Sequence, residues 1–373
     1  MAINVPIYHG LDEGDRARLI RDVTAAYQQS ASAAAAPSDE ADETATLPAP
    51  TGEIEIANAA DLIGIEPAVY RQIQAALRAG KQHLMFYGPP GTGKTSLARN
   101  VAAALHNQWR LITGSADWTS QDVIGGYQPI GDGKIAFIPG VLLRDFDRPL
   151  IIDELNRCDI DKVIGPLFTV LSGQATTLPY RVDVTNKDSD QYVILPQPKP
   201  SAATHEFAPT AAWRIIATIN SIDKASLYQM SYALTRRFGW IYVDAPKDLD
   251  AFIVEYLRRS ALLKTEPSAP GSVPLAGVWR AVNEVRVIGP APFIDLIKTA
   301  NSIAPQMDFL SVPTADQATA YLDGFFMYLV PMLDGILRHD AENVAAKVAE
   351  SLGLTRDDEL SVTLKSRLLS VAV

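Results

Sequence analysis

The stretch that most constrains the fold is GPPGTGKT, residues 88–95, which fits the pattern G-x-x-x-x-G-K-[ST]. An apolar strand-like run, HLMFY (83–87), precedes it, and a helical pattern from Thr95 to Asn107 follows it. Glycines let such a loop fold around a phosphate group, and the start of the next helix adds partial positive charge. Lys94 is placed to reach the terminal phosphates, and the Thr95 hydroxyl is placed to bind Mg²⁺. The stretch therefore predicts a nucleotide-phosphate site between a strand and a helix.

Two further buried strands end in polar residues. PLIIDELNR places Asp153 and Glu154 directly after an apolar run, and WRIIATIN ends at Asn220. Two carboxylates at the end of such a run are costly to desolvate without a cation. We expect Asp153 to hold the metal through its water shell and Glu154 to orient or activate the attacking water. Asn220 is a candidate hydrogen-bond donor to that water or to the γ-phosphate.

The chain divides into three parts by pattern. Residues 1–54 combine an amphipathic helical pattern from Leu11 to Gln29 with an acidic, proline-containing linker that cannot bury enough apolar surface to fold. Residues 55–246 alternate β-rich runs with helical patterns, which is typical of an α/β domain with a parallel sheet. Residues 247–373 show helical spacing only, and they predict an all-α domain. The N-terminal helix is either bound to a neighbouring subunit or another protein, or a loosely tethered tail.

Charge and cysteine content limit the class of protein. The chain has 43 acidic and 33 basic residues, a formal net charge of −10, which argues against a free-standing nucleic-acid binder. The single cysteine, Cys158, suits a reducing cytosol. The N-terminus lacks the basic start and apolar run of a signal peptide, and the apolar stretch 324–337 is too short to span a membrane. We expect a soluble cytoplasmic protein without a membrane partner.

GPPGTGKT, LIIDELNR and IIATIN, in this order and followed by a helical domain, resemble the motifs of the AAA+ ATPases. The resemblance covers about residues 55–340 and implies a P-loop module, a parallel αβα sheet, followed by an all-α lid. It also implies a Mg²⁺-dependent nucleoside triphosphatase. Members of that superfamily form rings, usually hexamers, with nucleotide at the subunit interfaces, so the resemblance implies such a ring as well. The segment DLIGI (61–65) resembles the family segment that lines the base pocket, which adds Ile63 and Gly64 to the predicted site.

An arginine after the third motif reaches into the neighbouring subunit's site in that family. The resemblance implies this role for Arg236 and Arg237 in YALTRRFGW, one as the finger and the other supporting it, with Arg236 favoured. The predicted catalytic residues are thus Glu154, Asn220, Arg236 and Arg237. The predicted nucleotide-binding residues are Gly88, Pro89, Pro90, Gly91, Thr92, Gly93, Lys94, Thr95, Ser96, Asp153, Ile63 and Gly64, and those predicted to bind Mg²⁺ are Thr95 and Asp153.

Finer features resemble one branch of the superfamily. Residues 115–145 are similar to the helix-2 insert of the branch that holds the McrB, MoxR, dynein and midasin modules, with a hairpin turn at 131–133. The N-x-x-D element from Asn220 to Asp223 and the arginine-rich end resemble McrB-type motor subunits most, with MoxR-type ATPases next. McrB-type proteins work with a nuclease partner, and MoxR-type proteins are ATP-driven remodelling chaperones. ATP is the superfamily default, whereas GTP is the speciality of McrB-type motors, so the base stays open.

Two departures from the branch pattern matter. Where MoxR-type members carry a sensor-2 arginine, this chain has Phe293, so that role is empty or passes to another residue such as Arg286. The N-terminal part holds no DNA-reading domain, so DNA recognition would come from a partner or from the pore of the ring. Tyr127 and Lys134 either face the pore or belong to an ordinary exposed hairpin. The long segment 180–209 predicts a functional loop or a hairpin insertion.

Overall fold

The computed structural model describes residues 62–220, 232–265 and 273–373. The predicted N-terminal helix and linker and most of the N-x-x-D element lie outside these residues. In chain order, the elements up to residue 246 are α1 (Pro67–Arg78), β1 (His83–Gly88), α2 (Lys94–Leu105), β2 (Arg110–Thr113), α3 (Ser120–Val123), β3 (Gly125–Gly131), β4 (Lys134–Pro139), α4 (Val141–Arg144), β5 (Pro149–Asp153), α5 (Ile160–Ile164), α6 (Phe168–Leu171), β6 (Thr176–Arg181), β7 (Gln191–Ile194), β8 (Glu206–Phe207), β9 (Arg214–Asn220), α7 (Tyr232–Arg237) and β10 (Phe238–Tyr242).

The later elements are all helical. They are α8 (Leu249–Arg259), α9 (Pro274–Asn283), α10 (Pro290–Ile303), α11 (Ala315–Tyr328), α12 (Arg338–Ser351) and α13 (Glu359–Ser370). Within the described residues after 246, the only β pairing is a single bridge between Ile336 and Ala372. None of the described helices is both long and apolar enough to cross a membrane.

Five strands form the central sheet, in the order β10-β1-β9-β5-β2. All four pairings are parallel, so the carboxyl ends of the strands meet at one edge. Gly88 pairs with Asn220 there, and Thr113 pairs with Asp153. This confirms the predicted α/β class and brings the phosphate loop, the carboxylates and Asn220 to the same edge.

Both faces of the sheet are buried, which explains the unbroken apolar runs of its strands. Leu84 and Phe86 of β1 pack with α1 and α2 in one hydrophobic cluster, whereas Met85 between them packs in the cluster on the opposite face. Alternate residues of a strand point to opposite faces, so a single apolar run serves two layers of helices. The three β1 side chains are fully buried.

The last strand differs from the prediction. The apolar run WIYVDAP (240–246) predicts a strand at these residues, whereas β10 runs from Phe238 to Tyr242. Its register with β1, from His83 opposite Phe238 to Tyr87 opposite Tyr242, sets both ends, because the pairing stops where β1 reaches the phosphate loop.

Two insertions leave the central sheet. The hairpin β3–β4 turns at Gly131, Asp132 and Gly133, all with positive φ, as predicted. β6, β7 and β8 form a separate three-stranded sheet, which includes most of the segment predicted as an insertion, 180–209, and begins before it at Thr176. The hairpin and this sheet share an aromatic cluster in which the ring of Phe137 stacks on Tyr192 with centroids 4.5 Å apart.

The helices after residue 246 enclose their own core. Trp279 and Phe293 stack at its centre with ring centroids 4.3 Å apart, and both are at most 1% exposed. The Trp279 indole N–H donates to the Ile288 carbonyl at 2.9 Å, which satisfies its polar atom in this apolar setting. Ile63 packs against the same core from the start of the described chain.

Candidate active site

The phosphate loop adopts a conformation that depends on its glycines. Gly91 and Gly93 have φ of +75° and +85°, values that side-chain-bearing residues rarely adopt. Gly93 immediately precedes α2, so the loop runs directly into the start of that helix. The positive end of the helix therefore lies at the loop, where an anion is stabilised.

Lys94 is buried at the base of this loop. Its Nζ donates to the Gly88 carbonyl at 3.1 Å and to the Pro89 carbonyl at 2.6 Å. Burial lowers the pKa of Lys94 to about 8, although Asp153 and Glu154 act in the opposite direction. A bound phosphate would supply the negative charge that this buried ammonium lacks, so the residue is suited to bind an anion.

A chain of hydrogen bonds links the loop to the carboxylates. The hydroxyls of Thr95 and Thr218 both donate to Asp153 Oδ1 at 2.6 Å. The Glu154 amide in turn donates to the Thr218 hydroxyl at 2.9 Å. Hydroxyl and carboxylate oxygens are the ligands that Mg²⁺ prefers, so Thr95 and Asp153 fit the predicted metal site.

Glu154 is held in an unusual backbone conformation. It has φ of +51°, in the left-handed region, and begins a single 3₁₀ turn, Leu155–Arg157. Its carboxylate forms an ion pair with Arg157 three residues later. Left-handed backbone costs roughly 1–2 kcal/mol for such a residue and occurs at functional sites where the surroundings fix it. Here the fixed backbone places Glu154 in the same cleft as Asp153.

The cleft above the sheet edge has a volume of about 610 Å³. One end holds the phosphate loop, the two carboxylates, Thr218 and Asn220. The other end is mainly apolar and is built from residues before α1 and from the helical region. The lining residues from these parts are Leu62, Ile63, Ile65, Phe252, Tyr256, Arg259, Ser260, Pro290, Ala291 and Ile294, and among them Leu62, Ile65 and Ala291 lie where this lining meets the loop glycines. A cavity with one polar and one apolar end has the character of a nucleotide site.

The predicted residues are largely brought together. Pro90 to Ser96, Asp153, Glu154, Asn220 and Ile63 line the cleft. Gly88 and Pro89 hold Lys94 through their carbonyls. Gly64 does not line the cleft. A Cβ there would approach the Phe252 ring to 2.6 Å, so the packing of Phe252 requires glycine at this position. Sequence reasoning missed Thr218, because its hydroxyl lies inside an apolar strand, and it missed the residues of α8.

The helical region contacts the phosphate loop through backbone. The Gly289 amide donates to the Pro90 carbonyl at 2.9 Å, and the Ala291 amide donates to the Gly91 carbonyl at 3.1 Å. Phe293, one turn into α10, is buried against Trp279 and does not line the cleft. The alternative candidate, Arg286, donates to the carbonyls of Met332 and Asp334 and does not line the cleft either. Neither residue is placed for the sensor-2 role.

The two arginines of YALTRRFGW have different surroundings. Arg237 Nε donates to the Phe168 carbonyl at 3.2 Å and to Ser172 Oγ at 3.0 Å. Arg236 has an exposed side chain, and its carbonyl accepts from Lys81 Nζ at 2.7 Å. Neither arginine lines the cleft of its own chain.

Tyr127 is half-buried and packs against the inserted sheet. Its ring lies edge-on to Tyr180 at 5.1 Å, and its hydroxyl donates to the Arg181 carbonyl at 3.0 Å while accepting from the Arg181 amide. The inserted sheet covers that face of the hairpin, and Lys134 remains exposed near the turn.

This sheet order, with a glycine-rich loop after one strand and paired carboxylates after a neighbouring one, defines a P-loop nucleotide-binding protein. A family model described as "AAA domain (dynein-related subfamily)" matches residues 83–238 of the chain. The resemblance predicted from the motifs is thereby confirmed.

Curated relatives match over part of the chain. The chain is 28% identical over 203 residues to the type IV methyl-directed restriction enzyme EcoKMcrB subunit of Escherichia coli (strain K12), covering 50% of this chain and 40% of that protein. It is 34% identical over 161 residues to the Holliday junction branch migration complex subunit RuvB of Mycolicibacterium gilvum, covering 39% of this chain and 43% of that protein. The chain thus spans less than half the length of each of these relatives.

A solved structure of Thermotoga maritima RuvB, titled a Holliday junction branch migration motor, overlaps 83% of this chain and 88% of its own. The sequence identity is 19% and the TM-score is 0.44.

Proposed function

We propose that the chain hydrolyses a nucleoside triphosphate, ATP or GTP, with Mg²⁺, at the interfaces of a homo-oligomeric, hexameric ring. The observation that carries the proposal is the cluster at one end of the cleft, where buried Lys94, the Thr95–Asp153 pair and Glu154 meet. The match of residues 83–238 to the AAA-domain family model supports nucleotide hydrolysis as the reaction.

Each residue at the phosphate end has a separate task. Lys94 neutralises the terminal phosphates, and Thr95 and Asp153 hold Mg²⁺, which when bound shields phosphate charge. Glu154 accepts a proton from the attacking water, and Asn220, at the end of the adjacent strand, orients that water or the γ-phosphate. Thr218 bonds both the Asp153 carboxylate and the Glu154 amide and so fixes their relative position.

The interface role falls to the arginines. Arg236 is exposed at the end of α7, and Arg237 is anchored to Phe168 and Ser172 of its own chain. We assign Arg236 as the finger for the neighbouring subunit and Arg237 as its support. An arginine finger contributes roughly 10³- to 10⁵-fold to the rate, so an isolated subunit should hydrolyse poorly.

The biological role that we propose is a cytoplasmic McrB-like motor that works with a separately encoded nuclease. The match to the EcoKMcrB subunit supports it, and both curated relatives are named as subunits of larger enzymes or complexes. The alternative is a MoxR-like, ATP-driven remodeller of a protein client. The net charge of −10 favours that alternative, because it disfavours direct contact with nucleic acid.

The test is steady-state phosphate release with ATP and with GTP, across a range of protein concentrations and alongside the Glu154→Gln variant. We expect specific activity to rise as the ring assembles and to fall about 10²-fold or more in Glu154→Gln, which keeps its nucleotide affinity. A strong GTP preference would support the McrB-like role, and an ATP preference would favour the remodeller. Phosphate release equal in the wild type and in Glu154→Gln would refute the proposal.

A further inference from the structure

One charged side chain of the cleft has no part in the function proposed above. Arg259 is the last residue of α8 and lines the cleft with Phe252 and Tyr256 of the same helix. The spacing of four and three residues places these three side chains on one face of the helix. The face of α8 that closes the apolar end of the cleft therefore ends in a guanidinium group.

The guanidinium is held by one of its three nitrogens. Arg259 Nε donates to Glu255 Oε1 at 2.7 Å. The other oxygen, Glu255 Oε2, accepts from NH1 of Arg258 at 2.7 Å. Within the part of the chain that the structure describes, NH1 and NH2 of Arg259 have no hydrogen-bond partner, and its side chain is 42% exposed. Glu255 thus fixes the orientation of Arg259 while leaving its two terminal amino groups available to a ligand.

No other cation of the helical region faces the cleft among the described residues. The charged residues that line it are Lys94, Asp153, Glu154 and Arg259. Lys94 lies at the phosphate end. Phe293 is buried against Trp279 in the helical core, and Arg286 donates to backbone carbonyls of the helical region. Among the described residues of the helical region, Arg259 is therefore the cationic side chain that can contact a bound nucleotide.

The position of Arg259 indicates which part of a nucleotide it meets. The loop residues and Lys94 fix the phosphates at one end, so the base occupies the apolar end beside Ile63 and Phe252. Arg259 lies on the helix face that forms this apolar end. A guanidinium presents paired N–H donors and also stacks on aromatic faces, so a purine edge matches it well.

We propose that Arg259, oriented by Glu255, binds the base of the nucleotide. Its terminal amino groups donate to acceptor atoms on the edge of the base, and the contact ties α8 to the occupied site. The proposal rests on the nucleotide-binding function proposed above. It predicts that Arg259 contributes equally to the binding of triphosphate and diphosphate, because the base is common to both.

The experiment compares equilibrium dissociation constants for ATP, ADP, GTP and GDP, by isothermal titration calorimetry with Mg²⁺, in the wild type, Arg259→Ala and Arg258→Ala. Arg258→Ala is the matched control, since it removes the same charge and the same Glu255 partner from a side chain that does not line the cleft. Loss of a charge-assisted hydrogen bond should weaken the preferred nucleotide about 5- to 30-fold in Arg259→Ala, by the same factor for its diphosphate. Arg258→Ala should stay within about twofold, since surface ion pairs contribute little.

Three results would overturn the assignment. Unchanged nucleotide affinity in Arg259→Ala would show that Arg259 does not contact the nucleotide. An equal loss of affinity in Arg258→Ala would show that the loss comes from the charge or packing of the helix and not from a contact of Arg259. A loss that grows from diphosphate to triphosphate would move the contact to the phosphates. Thermal unfolding of both variants establishes that each is folded. A wild type that binds no nucleotide would overturn the proposed function itself, whereas binding without hydrolysis would leave the role of Arg259 standing.

Discussion

At the scale of single residues, Thr218 connects the carboxylate of Asp153, the proposed metal ligand, to the backbone amide of Glu154, the proposed base. It is 1% exposed, donates to Asp153 Oδ1 and accepts from the Glu154 amide. Valine has nearly the same shape without the hydroxyl, so Thr218→Val leaves a buried amide without its acceptor. Such an unsatisfied group costs about 1–3 kcal/mol.

We expect Thr218→Val to lower the free energy of unfolding by that amount and to lower kcat more than it raises KM. The reason is that the Glu154 backbone is no longer held at a fixed position relative to the Asp153 carboxylate, while the phosphate loop stays intact. Thr218→Ser keeps the hydroxyl and should restore most of kcat at comparable stability. Denaturant unfolding and steady-state kinetics of both variants decide the matter, and equal kcat in the two would contradict the linking role.

At the scale of elements, the start of α10 lies directly on the phosphate loop. A Cβ at Gly289 would meet backbone atoms of Gly91 and Thr92, with the Gly91 oxygen at 2.5 Å. Gly289→Ala should therefore push α10 away from the loop and weaken nucleotide binding about tenfold or more, because overpacking of this kind costs about 1–3 kcal/mol.

The matched control for this contact is Gly165→Ala. Gly165 lies in a helical turn with φ of −46°, and a Cβ there would meet no atom within 4 Å apart from its chain neighbours and its own helix backbone. We expect its nucleotide dissociation constant to equal that of the wild type in the same calorimetric titration. Tight binding by Gly289→Ala would show that the helical region and the loop are not coupled through this contact.

A second prediction at this scale concerns the two insertions. Tyr127→Phe removes the hydroxyl that bonds to both backbone groups of Arg181, a net contribution of about 0.5–1.5 kcal/mol. Amide hydrogen exchange should accelerate in β3–β4 and in β6 but not in the central sheet. Tyr180→Phe is the control, since the Tyr180 ring packs in the same cluster and no hydrogen bond of its hydroxyl is found among the described residues. Equal acceleration in both variants would refute the specific role of Tyr127.

At the scale of the whole molecule, the proposed ring makes a mixing experiment possible. Arg236→Ala lacks the finger and Glu154→Gln lacks the base, so each alone should be inactive in phosphate release. In mixed rings an Arg236 of one subunit can serve a Glu154 of its neighbour. Random mixing of equal amounts should then restore activity at about a quarter of the interfaces of a closed ring. Mixtures as inactive as the separate variants would contradict catalysis in trans by Arg236.

How much of this could be predicted from sequence depends on the range of the contacts. The sheet edge with Lys94, Asp153 and Asn220 followed from short motifs, because parallel strands bring their carboxyl ends together. The role of Thr218 was not predicted because a single hydroxyl inside an apolar strand does not form a recognisable sequence motif. Tyr256 and Arg259 were missed because their place depends on how α8 packs against the cleft, which helical spacing alone does not determine.

The shared aromatic cluster between the hairpin and the inserted sheet has a consequence for protein engineering. Residues 125–139 and 176–207 are separated in the chain by β5 and the three short helices α4, α5 and α6, yet each covers the apolar face of the other. A graft of the hairpin alone onto another P-loop domain would expose the rings of Phe137 and Tyr127 to water, and this exposed apolar surface would promote aggregation. The two segments should be transplanted together, as one discontinuous cassette.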